Sequence, residues 1–210
     1  MDKNVERIGV TADLSERELV ERCRSGDESG YEEFYRTYSG VVYTLAWKVL
    51  GDAEGAKDAT QEIFMKAFRG LKNFQYQSKV STWLYRITVN HCRDMQRSRS
   101  RKKEVSTETF KKDEEGKSFL EQMADSRATP SQEQQDKQIR QRIIDAINRL
   151  PIEFRETVYL KEIEDMSYEE IGKIVGCRLG TVKSRIFRAR EMLQEELKDF
   201  YKEIVKGEKS

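Results

Sequence analysis

The chain has 210 residues, enough for one large domain or two small domains joined by a linker. Charged and hydrophobic residues each make up 37%, a polar composition that still supports small helical cores. With only two prolines and 12 glycines, long helices can form with few interruptions. The N-terminus lacks an apolar signal core and no run reaches the length of a membrane span, so we expect a cytoplasmic protein without membrane insertion.

The net charge of +1 hides an uneven distribution along the chain. Between Arg93 and Lys103 six basic residues stand against one acid, and between Glu104 and Lys137 nine acids stand against five bases. Four basic residues and no acid follow between Lys183 and Arg190. Two basic segments therefore flank an acidic middle, a pattern that favours contacts with a polyanion at two places.

Catalytic and metal chemistry have little support in the sequence. The three cysteines, Cys23, Cys92 and Cys177, are far apart and odd in number, which argues against a disulfide framework and favours buried side chains. The single histidine, His91, adjoins Cys92, but two adjacent residues without a second pair make a poor metal site. Without a phosphate-binding loop or a nucleophile beside a base, we expect no enzyme, metal or cofactor.

The N-terminal part, residues 14–98, reads as a compact unit of four helices. The first begins with the capping-box pair Ser15 and Glu18 and ends at Gly26. Apolar residues at helical spacing mark the inner faces of the next three. For the second helix these are Tyr31, Phe34, Tyr35, Tyr38, Val42, Leu45 and Val49; for the third, Ala56, Ala59, Ile63, Ala67 and Leu71; for the fourth, which begins at Thr82, Trp83, Leu84, Ile87 and Met95.

A polar stretch of about thirty residues, 100–131, lacks periodicity and is predicted to be a flexible acidic linker. Helical spacing then returns from Ile139, and Pro151 stands where a further helix begins. Ser167 and Glu170 form a second capping box, Gly176 ends that helix, and a short connection leads to a last helix beginning at Thr181. The expected fold class is therefore all-α, with two small helical domains at 14–99 and 132–201.

The last two helices have the layout of a helix-turn-helix, whose second helix enters the DNA major groove. Val182, Ile186, Ala189 and Leu193 share one stripe of the last helix, which we expect to face the rest of the module. The remaining faces carry the predicted DNA contacts: Thr181, Lys183, Ser184, Arg185, Phe187, Arg188 and Arg190. A solvated basic helix with one exposed phenylalanine is the alternative reading.

Several strings resemble the extracytoplasmic-function group of bacterial sigma factors. The segment from Met166 to Gly172 and the segment from Gly180 to Arg190 resemble that family's region four. Asp58-Ala59-Thr60-Gln61-Glu62-Ile63-Phe64 resembles the polymerase-binding helix of region two. Thr82-Trp83-Leu84-Tyr85-Arg86-Ile87, with Asn90 and Asp94, resembles its promoter-melting helix. The resemblance covers about 14–99 and 132–200.

The resemblance implies a monomeric transcription initiation factor that binds RNA polymerase core and lends it promoter specificity, commonly under the control of an anti-sigma factor. It implies that the N-terminal unit docks on the polymerase clamp through Asp58, Gln61, Glu62 and Phe64. It implies contacts to the minus-ten element from Tyr76, Arg86, Asn90, Arg93 and Arg97, and reading of the minus-thirty-five element by the last helix. The acidic linker would enter the positively charged channel of polymerase.

Residue types alone leave simpler readings open. Asp58 and Glu62 could form only a solvated face, and Trp83 is more often core than a base-stacking platform. The chain also departs from the family pattern: Gln75-Tyr76 stands where an Arg-Gly pair is frequent, and Gly55 and Lys57 stand where acids are usual. The base preference of the Phe74–Ser81 loop therefore does not carry over.

A second function class is a stand-alone helix-turn-helix regulator. Such a protein usually pairs two half-sites through a dimer, and a dimer bound to a palindrome would favour it. The sequence shows no strong dimer seam and no ligand-pocket or phospho-acceptor signature. The hypothesis of an enzyme that acts on nucleic acid would need nuclease or nucleotide hydrolysis that a single substitution abolishes.

Overall fold

The protein, described here by a computed structural model, is helical in all the regular structure of residues 15–105 and 130–207, the ranges that the structure describes. The predicted all-α fold class is confirmed. In chain order the helices are α1 (15–24), α2 (Glu28–Leu50), α3 (Ala53–Leu71), α4 (Val80–Val105), α5 (Pro130–Arg149), α6 (Ile152–Glu162), α7 (Tyr168–Val175) and α8 (Leu179–Gly207).

Most of the predicted linker, residues 106–129, lies outside the described residues. Its two ends are helical, because α4 continues to Val105 and α5 begins at Pro130. In the described part of the chain, no helix combines the length and the apolar character that crossing a membrane requires.

Local capping interactions define α2 and α3. The Asp27 carboxylate accepts a hydrogen bond from the Ser29 N–H at the start of α2, and α2 ends at Gly51, whose φ of 79° is the left-handed conformation that glycine adopts without strain. The Asp52 carboxylate then accepts from the Gly55 N–H and begins α3. The predicted inner stripe of α3 is confirmed, since all five of its members are buried.

An aromatic cluster fills the space between α2 and α3. The Phe34 ring lies 6.3 Å from the Phe64 ring and 5.8 Å from the Phe68 ring, measured between centroids. The prediction that Tyr35 faces inward was wrong: its side chain is 45% exposed, although its ring contacts that of Phe64 at 4.7 Å. Phe34 occupies the inner position and leaves Tyr35 at the rim.

The C-terminal helices form the predicted helix-turn-helix. Both hydrogen bonds of the capping box are present, so the Ser167 hydroxyl accepts from the Glu170 N–H and the Glu170 carboxylate accepts from the Ser167 N–H. Gly176, with φ of 70°, ends α7. The last helix begins at Leu179, two residues before the predicted start.

The N-terminal and C-terminal helices pack against each other through a shared core. One cluster of buried apolar side chains runs from α1–α4 into α6–α8 and includes Val89, Leu160 and Ile174. At this boundary α4 packs on α7, and α2 packs on α6. Polar contacts cross it as well. The Tyr85 hydroxyl donates to Glu164 Oε2 at 2.6 Å, and Arg155 Nη1 donates to the Val49 carbonyl at 2.8 Å.

Substituting Ser167→Ala removes the α7 cap and should lower the free energy of unfolding by about 1 kcal/mol, since the Glu170 N–H loses its acceptor. Urea unfolding followed by circular dichroism measures the change. Ser98→Ala, the same chemical change at an exposed position of α4, is the matched control and should alter stability by less than about 0.5 kcal/mol. Equal effects of the two substitutions would contradict the capping argument.

Candidate nucleic-acid interface

The exposed side of α8 is built by the burial of its opposite side. Val182, Ile186 and Ala189 are at most 2% exposed, which confirms the predicted stripe. Because these residues fix the rotation of the helix, Lys183, Ser184, Arg188 and the neighbouring Phe187 face solvent. The Phe187 side chain is 63% exposed, so its ring is accessible for contact with a thymine methyl group.

The basic residues of α8 divide into free and paired groups. Within the described residues, Lys183 and Arg188 form no hydrogen bond or ion pair and can therefore turn toward a ligand. Arg190 pairs with Glu162 of α6, with its Nη2 at 2.6 Å from Oε1. Arg185 approaches Glu156 of the same helix, with 3.6 Å between Nη1 and Oε1.

The Ser184 hydroxyl donates to the carbonyl oxygen of Thr181 at 3.0 Å, a local bond within the first turns of α8. Both residues are exposed. Ser184 therefore keeps its acceptor lone pairs available for a base edge, while Thr181 lies at the N-terminal end of the helix, where backbone N–H groups attract phosphate.

A second basic surface lies along α4. Arg86, Asn90 and Arg97 are exposed and fall on one side of the helix, at spacings of four and seven residues. Arg93, predicted with them, is turned into the boundary with the C-terminal helices, where it bonds to Glu156 of α6. No local sequence pattern indicated this pairing, because the two residues are 63 positions apart.

The loop before α4 holds Tyr76 in a constrained position. Its φ of 55° lies in the left-handed region, which costs little for glycine and is unusual for a tyrosine. This explains in physical terms why the resembling family often has glycine there. The ring lies edge-on to Phe74 at 5.1 Å, and the hydroxyl donates to Glu21 at 2.8 Å. Burial, with the contact to Glu21, raises the pKa of Tyr76 to about 12.

The predicted polymerase-binding residues on α3 do not all share one environment. Asp58, Gln61 and Glu62 are exposed on one side of the helix. Phe64 is only 3% exposed and belongs to the aromatic core. It therefore cannot contact a partner directly as predicted, and it packs beneath the exposed side of the helix. Met65 was not predicted for this surface and is 49% exposed. It lies three, four and seven residues after Glu62, Gln61 and Asp58, a helical spacing that could have predicted it on the same side.

The cysteine and histidine side chains sit inside the fold. Cys23 and Cys92 are buried, whereas Cys177 is partly exposed, and burial raises the pKa of the Cys92 thiol to about 12. His91 Nδ1 lies 2.7 Å from Lys66 Nζ, and burial lowers the pKa of His91, so its neutral ring accepts from the lysine. In 15–105 and 130–207 no group of three or more His, Cys, Asp or Glu could hold a metal ion.

Comparisons with known proteins cover both halves of the chain. Residues 34–102 match the family described as Sigma-70 region 2, and residues 140–193 match Sigma-70, region 4. The RNA polymerase sigma-H factor of Pseudomonas aeruginosa is 34% identical over 90% of this chain and 96% of its own length. The ECF RNA polymerase sigma factor SigW of Bacillus subtilis is 31% identical over 87% of this chain and 97% of its own.

Among solved structures, the sigma factor RpoE of Bartonella quintana, in complex with the anti-sigma factor NepR, superposes with a TM-score of 0.61 at 26% identity. The match covers 80% of this chain and 96% of that one. The helical arrangement described above is therefore similar to that of a sigma factor.

Substituting Arg188→Ala should cost about 1–3 kcal/mol of binding to the upstream promoter element and relax base preference there, because a guanidinium can donate two bonds to one guanine. Arg190→Ala is the comparison, since loss of a side chain that contacts only phosphates would weaken binding to all sequences alike. Competition between DNA sequences measures both. A uniform loss in Arg188→Ala would assign Arg188 to the backbone instead.

The three cysteines should react with a maleimide in order of access, Cys177 first and Cys23 and Cys92 only on unfolding. Mass spectrometry of the folded protein at pH 8 gives the order, and labelling in urea is the control. Early labelling of Cys92 would show that α4 opens locally.

Proposed function

The chain belongs to the extracytoplasmic-function group of bacterial RNA polymerase sigma factors, which bind polymerase core and direct it to specific promoters, and we propose that it works through three separate surfaces. One reads upstream duplex DNA, one contacts the melted element, and one holds polymerase. Residues 14–99 would carry the last two surfaces and residues 132–201 the first, with 100–131 as the connection.

The upstream surface is the exposed side of α8. Lys183, Ser184, Phe187 and Arg188 would contact base edges in the minus-thirty-five element, and Thr181, Arg185 and Arg190 the phosphates beside them. The single observation that carries this assignment is Phe187, an apolar side chain 63% exposed at the centre of a basic helix face. A single exposed apolar side chain is common on protein surfaces, and Ile163 is equally exposed. What favours a nucleic-acid contact is the place of Phe187 beside the exposed side chains of Lys183 and Arg188.

The melting surface joins the Phe74–Ser81 loop to α4. Tyr76 would stack on or border an unpaired base, because aromatic rings stabilise a base that has left the duplex. Arg86, Asn90 and Arg97 would hold the adjacent strand, and Arg93 would join them once it leaves Glu156. The Tyr76 ring is held by its edge-on contact with Phe74 and by the guanidinium groups of Arg17 and Arg24, which lie 5.4 and 5.2 Å from its centroid.

The polymerase surface is the exposed side of α3. Asp58, Gln61 and Glu62 would contact the clamp helices, with Met65 adding apolar contact and Phe64 packing beneath them. Gly55 and Lys57 change this surface from the family pattern. A Cβ at residue 55 would lie 2.6 Å from the Asp52 carboxylate and from Arg99 Nη2, so glycine leaves room for the ion pair between those two side chains.

We further propose that the protein acts in the cytoplasm by binding rather than by catalysis, as a monomer. The solved relative of Bartonella quintana is bound to an anti-sigma factor, which supports similar control of this chain.

Run-off transcription tests the proposal directly. Bacterial core polymerase is incubated with a pool of promoter fragments from the source genome, with and without this protein. New discrete transcripts that require both components are expected, and their upstream sequences define the two elements. A footprint made by the free protein at physiological salt, without any polymerase-dependent transcript, would instead indicate a stand-alone regulator.

Substituting Asp58→Ala or Gln61→Ala should weaken binding to core polymerase by about 1–2 kcal/mol, the cost typical of truncating a central interface side chain. Binding of the upstream DNA element should be unchanged. Arg188→Ala is the reciprocal control, since it should spare core binding. If Arg188→Ala and Asp58→Ala reduced core binding equally, the proposed separation of surfaces would be wrong.

A further inference from the structure

We propose that Glu156 exchanges arginine partners: it holds Arg93 of α4 while the two helical units are packed together, and it takes Arg185 of α8 when they separate. The packed arrangement thereby keeps Arg93 from promoter DNA, because all three of its guanidinium nitrogens are engaged. After separation Arg185 would bond to Glu156 through Nη1, which leaves its other N–H donors for a phosphate. The functional meaning of both arginines rests on the proposed function; the exchange itself is a property of the free protein.

In the packed arrangement each of the three guanidinium nitrogens of Arg93 donates a hydrogen bond. Its Nε donates to Glu156 Oε2 at 2.8 Å, its Nη2 donates to Glu156 Oε1, and its Nη1 donates to the Val175 carbonyl at 2.8 Å. All three nitrogens thus bond to the C-terminal helices, although Arg93 belongs to α4. Such a two-bond pair with a carboxylate fixes direction as well as distance, so it holds α4 in register with α6 and α7.

The carboxylate that accepts these bonds is fully buried, with no exposed side-chain surface. Burial raises the pKa of Glu156, while the bonds from Arg93 and the nearby charge of Arg185 act in the opposite direction. A buried carboxylate without a cation is strongly destabilising. When Arg93 leaves, Glu156 keeps its negative charge, and among the described residues of its own unit Arg185 is the cation nearest to it.

Arg185 lies close to Glu156 but does not hydrogen-bond to it in the packed arrangement. Its Nη1 lies 3.6 Å from Glu156 Oε1, too far for a hydrogen bond. The same Nη1 is buried and has no hydrogen-bond partner, a state that proteins generally avoid. One carboxylate thus faces two guanidinium groups and bonds to only one of them, so a short movement of Arg185 would pair the other.

The surroundings favour the release of Arg93 toward nucleic acid. A cleft of about 910 Å³ lies at the boundary, lined in part by Arg93, Arg97, Arg101 and Arg185. Asp94 and Glu153 are the acidic side chains in its lining. The arginines that line the cleft repel one another in the packed arrangement. Phosphates that approach α4 would lower this repulsion.

Distance measurement by pulsed electron paramagnetic resonance tests the first half of the exchange. Spin labels are attached at Glu32→Cys on α2 and Gln194→Cys on α8, both exposed positions, in a Cys177→Ser background. The unsubstituted boundary should give one short distance. Arg93→Gln and Glu156→Gln should each shift most molecules to longer distances. Arg97→Gln, one turn along α4 and without a contact to Glu156, is the matched control and should keep the short distance.

A short distance retained in Glu156→Gln would overturn the proposal, and so would opening by Arg97→Gln, which would show a general charge effect. A double-mutant cycle of Glu156→Gln with Arg185→Gln tests the second half. Urea unfolding measures the coupling between Glu156 and Arg185. Expressed as a factor in the unfolding equilibrium constant, this coupling should be about tenfold larger in the Arg93→Gln background than with Arg93 present. Equal coupling in both backgrounds would overturn the exchange. Neither measurement uses DNA or polymerase, so its failure is distinguishable from failure of the run-off assay.

Discussion

The burial of apolar surface along both sides of α4 is the constraint on which this structure depends. One side completes the core of α1–α3, and the other meets α7 of the helix-turn-helix, so a single cluster of buried side chains passes through both units. Small helical units bury a limited fraction of their surface, and sharing a boundary adds to what each can bury alone. The polar contacts that cross this boundary then decide how firmly, and in which register, the units meet.

Some of those polar contacts come from residues beside the proposed DNA-reading surfaces. Arg155 of α6 donates to the Val49 carbonyl near the end of α2, and Tyr85 of α4 donates to Glu164. Glu156 binds Arg93 at the same boundary. Arg93 thus belongs both to the proposed promoter contacts and to the packing of the free protein. Lys183, Phe187 and Arg188 point away from the boundary and remain exposed in either arrangement.

Local pattern predicted much of this structure, and tertiary contact decided the rest. The buried stripe of α8 and the capping box at Ser167 follow from spacing within one helix, so sequence was sufficient. Phe64 lies beside Ile63 in sequence and is buried because three other aromatic rings surround it, which helical spacing alone does not reveal. The pairing of Arg93 with Glu156 joins residues from separate units, and a basic segment in the sequence gave no sign that one of its members would turn into the boundary and lie partly buried.

The shared core also bears on how long the protein survives in a cell. In the packed chain Leu160, Ile174 and Val175 are buried. The backbone of these helices stays hydrogen-bonded, so a protease cannot reach its peptide bonds without local opening. Separation of the two units would expose part of that shared core. Degradation of the free form depends on the population of the opened state. The strength of the boundary therefore sets the turnover of unbound molecules, and with it how quickly a transcriptional response ends once its signal has passed.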